Sequence, residues 1–366
     1  MKILFLSAAN SVHTVKWVNT LAERKHEIHL VFNCGHAPSV DKIDGRVHLY
    51  QLKYSGTKGY YLNAKELKKL NKKINPDVIN VHYASGYGTL ARMAKLPNII
   101  LSIWGSDVFE FPYQSKVKEK ILKKNVDYAT ALASTSNCMA AQLQNIMKDF
   151  EKEITITPFG VDLEVFNPDK YLDENVQDEI IIGNIKTLKQ LYGISDLIQA
   201  SHLMLQKLPE DIKKKVRIEI YGDGEQKEYL QEEINCLGEQ NKILLKGKIA
   251  NSEVPAVLSR FSIFCATSHQ ESFGVSIIEA MAMKVPVVVT DVVGFSEVIE
   301  EACGIKVPVG DVEQIANAMY ELVVNKEKGQ QMGENGRRRV EKMYNWNENV
   351  TIMEKLYEKM VRTHIK

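Results

Sequence analysis

The sequence predicts an α/β protein built of two doubly wound, Rossmann-like parallel-sheet domains that face a central cleft. Three observations carry that expectation. The chain has 366 residues, more than one hydrophobic core usually organises, so two domains of roughly 150 to 200 residues are the natural division. Short apolar runs of strand length alternate with helical patterns from the first residue, as successive βαβ units require. The alternation breaks once, at the polar and acidic stretch NPDKYLDENVQDE from 167 to 179, and then restarts.

The elements follow in order. KILFLS (2–7), EIHLVF (27–32), VHLYQL (47–52), DVINVH (77–82), IILSIW (99–104), ATALAS (129–134) and ITITPF (154–159) read as buried strands separated by amphipathic or lysine-rich segments. After the break come IIIGNI, VRIEIYG, ILLKGK, FSIFCATS, VPVVVT and GIKVPV, again with helices between. This assigns residues 1–167 to an amino-terminal domain, 168–179 to a linker and 180–345 to a carboxy-terminal domain. A closing helix at 346–366, rich in Glu, Lys and Met, is expected to pack back on the amino-terminal domain.

Composition narrows the class. With 45% hydrophobic residues, 25% charged residues and a formal net charge of +1, the chain reads as an ordinary globular protein rather than a disordered or fibrous one. The charge is uneven: residues 1–150 carry 21 Lys and Arg against 11 Asp and Glu, residues 151–366 carry 26 against 35. A basic first half points to an anionic partner such as nucleic acid, a membrane surface or a phosphorylated substrate. Cys34, Cys138, Cys236, Cys265 and Cys303 are odd in number, widely spaced and never in a CxxC pair. That argues against a disulfide framework or a zinc site and favours a reducing cytoplasm. No apolar stretch reaches spanning length, and the opening MKILFLSAAN lacks a cleavage site, so neither secretion nor membrane integration is expected.

Chemistry concentrates in HQESFGVSIIEAMAMKVPVVVT, residues 269–290. On one continuous helix Glu271 and Glu279 would be turned about 80° apart and separated by about 12 Å along the axis, which rules out an acid/base pair. With Glu271 in the loop after a strand and Glu279 in the second turn of a helix starting near Gly274, both face a ligand over the helix amino terminus. That end offers unpaired N–H groups and positive potential to a phosphate, and Gly274 permits close backbone approach. A diphosphate held there leaves a carboxylate on either side for hydroxyl-bearing groups, such as a sugar and a ribose.

ESFGVSIIEAMAMKVPVVVTDV resembles the nucleotide-sugar signature of retaining glycosyltransferases of family 4, whose members have the GT-B fold. The resemblance continues through YGDGEQKEYL, LLKGKIANSEVPAVLSRFSIFCATS, IIIGNIKTLKQLYGISDLIQA and DVVGFSEVIEEACGIKVPVGD, where Val293 stands in place of a usual glycine. In the first half it covers SAANSVHTVKWVNTLAERKHEIHLVF, DVINVHYASGYGTL, SIWGSDVF and TPFGVDLEVFNP. It assigns the donor sugar to Glu271, the diphosphate to the backbone of Phe273, Gly274 and Val275, and the ribose hydroxyls to Glu279. Lys186 fits the first diphosphate-binding cation; Leu191 stands where the second often lies, and Lys189 is the substitute. Gly222 falls beside the base, and Gly160 in the segment between the domains. Trp104 occupies a position where many relatives carry a donor-contacting histidine. His82, His13 and Asp107 remain as polar groups in the facing loops.

The resemblance implies transfer of a sugar, with retention, from a nucleoside diphosphate, most commonly uridine diphosphate, to an acceptor hydroxyl. Neither a GxGxxG after the first strand nor a DxD pair is present, so no dinucleotide cofactor and no metal are expected. A nucleotide-sugar 2-epimerase and a non-catalytic sugar-nucleotide-binding protein are the competing classes. Nucleic acid drops out as a partner. KELKKLNKKI (65–74) and KVKEKILKKN (116–125) have Leu or Ile at helical spacing among their lysines, as helices lying on an anionic membrane surface do. A glycan or lipid-linked acceptor, used in surface polysaccharide or capsule assembly on the inner face of the plasma membrane, would suit them.

Overall fold

A computed structural model of the chain describes residues 1–38, 42–148, 150–171 and 179–364. It divides into two compact units, one of Met1–Pro158 with Glu348–Lys366 and one of Phe159–Asn347.

The first unit is built on seven strands: β1 (Lys2–Leu6), β2 (Glu27–Asn33), β3 (His48–Leu52), β4 (Val78–His82), β5 (Ile99–Ile103), β6 (Ala131–Ser134) and β7 (Ile154–Ile156). All pair in parallel, in the order β3-β2-β1-β4-β5-β6-β7. Helices cover both faces, which is why the strands are continuous apolar runs rather than alternating ones. The order reverses between β1 and β4, so the loops leaving these two strands diverge and open a crevice at their carboxyl ends. The closing helix, Trp346–His364, packs on this unit. Tyr357 is fully buried and its hydroxyl accepts a hydrogen bond from Asn80 Nδ2 at 2.7 Å, while Glu354 takes Arg24 at 2.5 Å and His26 at 2.8 Å.

The second unit holds β8 (Ile180–Ile185), β9 (Val216–Tyr221), β10 (Ile243–Gly247), β11 (Ile263–Ala266), β12 (Val287–Thr290) and β13 (Gly304–Val307). They form a parallel sheet in the order β10-β9-β8-β11-β12-β13, which reverses between β8 and β11. Ile182, Ile198, Ile218, Ile263, Val288 and Met319 lie in its closed core.

All thirteen apolar runs are strands. ITITPF is shortened to three residues: Thr157 N makes the last bond to β6, to Ser134 O at 2.8 Å, and Pro158 has no N–H to carry the ladder on. The units part at Pro158, nine residues before the boundary expected at 167. The cause is local: Val161 N donates to Tyr344 O at 2.8 Å and Trp346 N to Val161 O at 3.0 Å, which binds the segment after Phe159 to the end of the second unit. Of the linker expected at 168–179, Pro168–Tyr171 form a 3-10 turn and residues 172–178 lie outside the described residues.

Candidate active site

In the second unit the site grows from the two strands at the reversal. β8 ends at Ile185, and Lys186 follows with its N–H donated to Tyr221 O at 2.9 Å. The loop then makes a 3-10 turn at Gln190–Tyr192 and closes at Gly193, which is left-handed with φ of 59°. A Cβ there would run into the carbonyl oxygen of Thr267, so only glycine lets this loop lie against the one leaving β11. Thr267 Oγ1 donates to Gly193 O at 2.7 Å, His269 N to Leu191 O at 2.9 Å, and His269 Nε2 lies 2.6 Å from Asp196 Oδ2.

This lacing places Lys186 Nζ in a direct ion pair with Glu271 Oε2. The two side chains are only 22% and 15% exposed, so the pair is shielded enough for its charges to act strongly. The ammonium also sits 4.3 Å from the centre of the Tyr192 ring, a cation–π contact. The other Glu271 oxygen accepts the Ser272 N–H at 3.2 Å.

After Glu271 the chain is fixed by packing. Phe273 is buried, edge-on to Phe159 at 5.7 Å and to Tyr344 at 5.6 Å. Its side chain is thereby committed to the core, leaving only its backbone for a ligand. Gly274, at φ of 97°, starts the helix Val275–Ala282, whose Ile277, Ile278 and Met281 are fully buried. The first N–H groups of that helix have no intrahelical acceptor and point out beside Glu271 in sequence. Glu279, the fifth residue of the helix, is half-buried.

A cavity of about 440 Å³ adjoins Lys186; Thr187, Gly222, Asp223, Lys248 and Asn251 are among its walls. Cβ atoms on Gly222 or Gly224 would strike the carbonyls of Lys186 and Leu188, so the two glycines let the turn after β9 press against the Lys186 loop. Lys189, proposed as the second cation, is exposed at the start of the 3-10 turn and stands apart from the Lys186–Glu271 pair in its hydrogen bonding. Gly160 is buried between Phe159 and Val161, on the segment that supports Phe273.

In the first unit the three polar candidates surround Trp104. His82 ends β4 and is 1% exposed; its Nδ1 lies 2.9 Å from Ser7 Oγ, which lies 2.7 Å from Thr14 Oγ1. Its ring packs on the Trp104 indole at 4.0 Å, and burial pushes its pKa well below the usual value, so it is a neutral imidazole. Asp107 is fully buried: its carboxylate accepts the N–H groups of Ala84 at 2.9 Å, Gly105 at 2.8 Å and Trp104 at 3.2 Å. Burial pushes the Asp107 pKa up, while these three donors pull it down.

Within the first unit, then, His82 packs on Trp104 and bonds to Ser7, and Asp107 ties together the loops that hold Trp104. His13 is half-buried, edge-on to Trp104 at 5.9 Å, with its pKa lowered to about 4 by burial and by Lys16.

Sequence reasoning passed over Tyr192, Lys248 and Gly294. Gly294 N donates to Glu271 O at 3.1 Å, and a Cβ on it would lie 2.5 Å from Phe273 N and 2.6 Å from Glu271 O. The close approach falls on Gly294, and Val293 beside it is 56% exposed. A glycine adjacent to the expected one was the available signal.

A family profile described as "Glycosyl transferase 4-like" matches residues 2–136, and one described as "Glycosyl transferases group 1" matches residues 171–339. The chain belongs to the family-4-like glycosyltransferases of GT-B fold. This glycosyltransferase is 23% identical to the N-acetyl-alpha-D-glucosaminyl L-malate synthase of Bacillus anthracis, over 93% of the chain and 91% of that protein. It is 28% identical to a capsular polysaccharide biosynthesis glycosyltransferase of Staphylococcus aureus, over 59% of the chain and 57% of the relative. Among solved structures, Anabaena Alr3699/HepE in complex with UDP-glucose shares the fold, with a TM-score of 0.77 and 16% identity, over 98% of this chain and all of that one. Among the described residues no helix is long and apolar enough to cross a membrane.

Proposed function

We propose that this glycosyltransferase moves a sugar from a nucleoside diphosphate, uridine diphosphate in the first instance, to an acceptor hydroxyl, with retention of configuration and without a metal ion. The observation that carries the reading is the shielded Lys186–Glu271 pair at the strand reversal, next to the 440 Å³ cavity and just before the helix that starts at Gly274.

A diphosphate displaces Glu271 from Lys186, because it brings more negative charge to the ammonium than one carboxylate does. Glu271, released, accepts hydrogen bonds from hydroxyls of the transferred sugar. As the glycosidic bond breaks, charge grows on the departing diphosphate. Lys186, the N–H groups at Val275 and Ser276, and Lys189 as the outer cation meet that charge where it develops. Glu279 takes the ribose hydroxyls, and the Gly222–Gly224 turn receives the base. His13, neutral above pH 4, serves as a hydrogen-bonding group for a sugar rather than as a cation.

The UDP-glucose complex of the HepE fold relative supports the donor class. The capsular relative supports an acceptor that is a glycan or lipid-linked sugar in surface polysaccharide assembly. A second reading, a small soluble acceptor, is favoured by the glucosaminyl malate synthase, which aligns over more of the chain.

The test is incubation with UDP-, GDP- and ADP-sugars, with and without glycan, lipid-linked and hydroxy-acid acceptors, followed by NMR of the anomeric proton. Transfer with retained configuration from one donor, lowered about 10²-fold or more in Lys186→Ala, is expected. An inverted product, or no transfer and no hydrolysis from any donor, overturns the reading. Epimer formation without acceptor moves it to the 2-epimerase class.

A further inference from the structure

Glu27 opens β2, and His29 follows two residues later on the same face of the strand. His48 opens β3, the edge strand, and is the register partner of His29. We propose that Glu27, His29 and His48 bind a borderline divalent transition-metal ion, zinc above all, which ties edge strand β3 to the sheet.

The ligand atoms of the three side chains already lie within 4.8 Å of one another. The two imidazoles face each other across the strands, with centroids 4.8 Å apart and planes 22° from parallel. A tetrahedral zinc ion with bonds of about 2.0–2.1 Å holds its ligand atoms about 3.4 Å apart, so closing the site takes side-chain rotation of about an ångström and no backbone change.

The surroundings are those of a ligand set. His29 Nδ1 lies 3.1 Å from the Tyr50 hydroxyl and Nε2 lies 2.9 Å from Glu27 Oε1. When Nδ1–H donates to Tyr50, the Nε2 lone pair points at the carboxylate, and a cation between them takes the place of a proton. Tyr50 then acts as the outer partner that orients a metal-bound imidazole. Glu27 and His48 are exposed, which provides an entry path and room for water as fourth ligand.

Lys2 Nζ is 3.5 Å from Glu27 Oε1 and competes for it, but it also donates to Ile74 O at 3.3 Å and can be held there. Imidazole donors select zinc, nickel or copper over magnesium and calcium, which need a shell of oxygens. The site lies at the amino-terminal ends of its strands, whereas His82 ends β4 and Trp104 follows β5 at the carboxyl ends. It is independent of the donor chemistry.

The test uses the full chain, stripped with a chelator, titrated with Zn²⁺ by calorimetry and melted with and without Zn²⁺. One ion per chain and a raised melting temperature are expected, with no response to Mg²⁺. His48→Ala, at an exposed position, should weaken uptake tenfold or more and abolish the shift; His48→Cys should restore both, and Tyr50→Phe should weaken binding several-fold. Absence of saturable Zn²⁺ uptake by the unaltered chain overturns the proposal. So does uptake that is unchanged in both His48→Ala and Glu27→Gln.

Discussion

Lys186 and Glu271 neutralise each other, and that pairing changes what each mutation should do. Removing Glu271 frees the ammonium for a phosphate, so Glu271→Ala should leave UDP affinity unchanged or raised while turnover falls, because the sugar loses its hydroxyl acceptor. Glu279→Ala should weaken UDP about tenfold, the worth of one good hydrogen-bonding carboxylate. Calorimetry with UDP alone separates the two, and an equal loss of affinity in both variants would overturn the division. His13 makes a pH prediction. Its folded pKa is near 4, against 6.5 in the unfolded chain, so between those values the unfolded state binds the proton and the folded state does not. Stability is then full above pH 6.5 and declines as pH falls toward 4. His82, buried and neutral against Trp104, adds loss of the same sign. Urea unfolding at pH 7 and pH 5 should show a smaller difference for His13→Gln than for the unaltered chain; an identical difference would remove His13 from the account.

Elements were the level at which the sequence was most legible. A parallel strand buried on both faces is a run of Val, Ile and Leu, so IIIGNI and VPVVVT announce themselves, and the start of the helix Val275–Ala282 follows from Gly274. Side-chain destinations were less legible, because a polar residue after a strand reads the same whether it faces a ligand or holds a loop. Asp107 shows this: only the fold reveals that three backbone N–H groups consume its carboxylate. Likewise nothing in KELKKLNKKI says that Leu67 and Ile74 face the core. The loop elements make their own prediction. Gly222→Ala places a methyl group against the Lys186 carbonyl, so the turn after β9 and the Lys186 loop must separate. Overpacking of this kind costs about 1–3 kcal/mol, and here the displaced loop carries Lys186, the cation proposed above for the diphosphate. Gly222→Ala should lower both melting temperature and UDP affinity, whereas Gly238→Ala, with open space around its Cβ position, should leave UDP affinity unchanged.

Across the whole molecule the basic character of residues 1–150 becomes a surface. Lys65, Lys68, Lys69, Lys72 and Lys73 are all exposed on the helix Ala64–Ile74, and Lys116, Lys120 and Lys124 on the helix Lys116–Tyr128. Leu67, Ile74, Leu122 and Val126 of these helices are core rather than turned outward as a membrane-lying helix requires. Exposed apolar side chains precede or open each helix instead, Tyr61 at 43% and Leu62 at 56% before the first, Tyr113 at 67% and Val117 at 66% at the second. If an anionic bilayer presents the acceptor, lysines contribute about 1 kcal/mol each near the surface and the four apolar residues supply a small inserted area. Binding should then require anionic lipid, weaken with salt through screening, and fall further in Leu62→Asp and in a double Lys68→Glu, Lys72→Glu variant. Sedimentation with anionic and neutral vesicles at low and high salt measures all of this. Binding indifferent to lipid charge would reject the lysine surface, and no binding at all would leave the small soluble acceptor as the better reading.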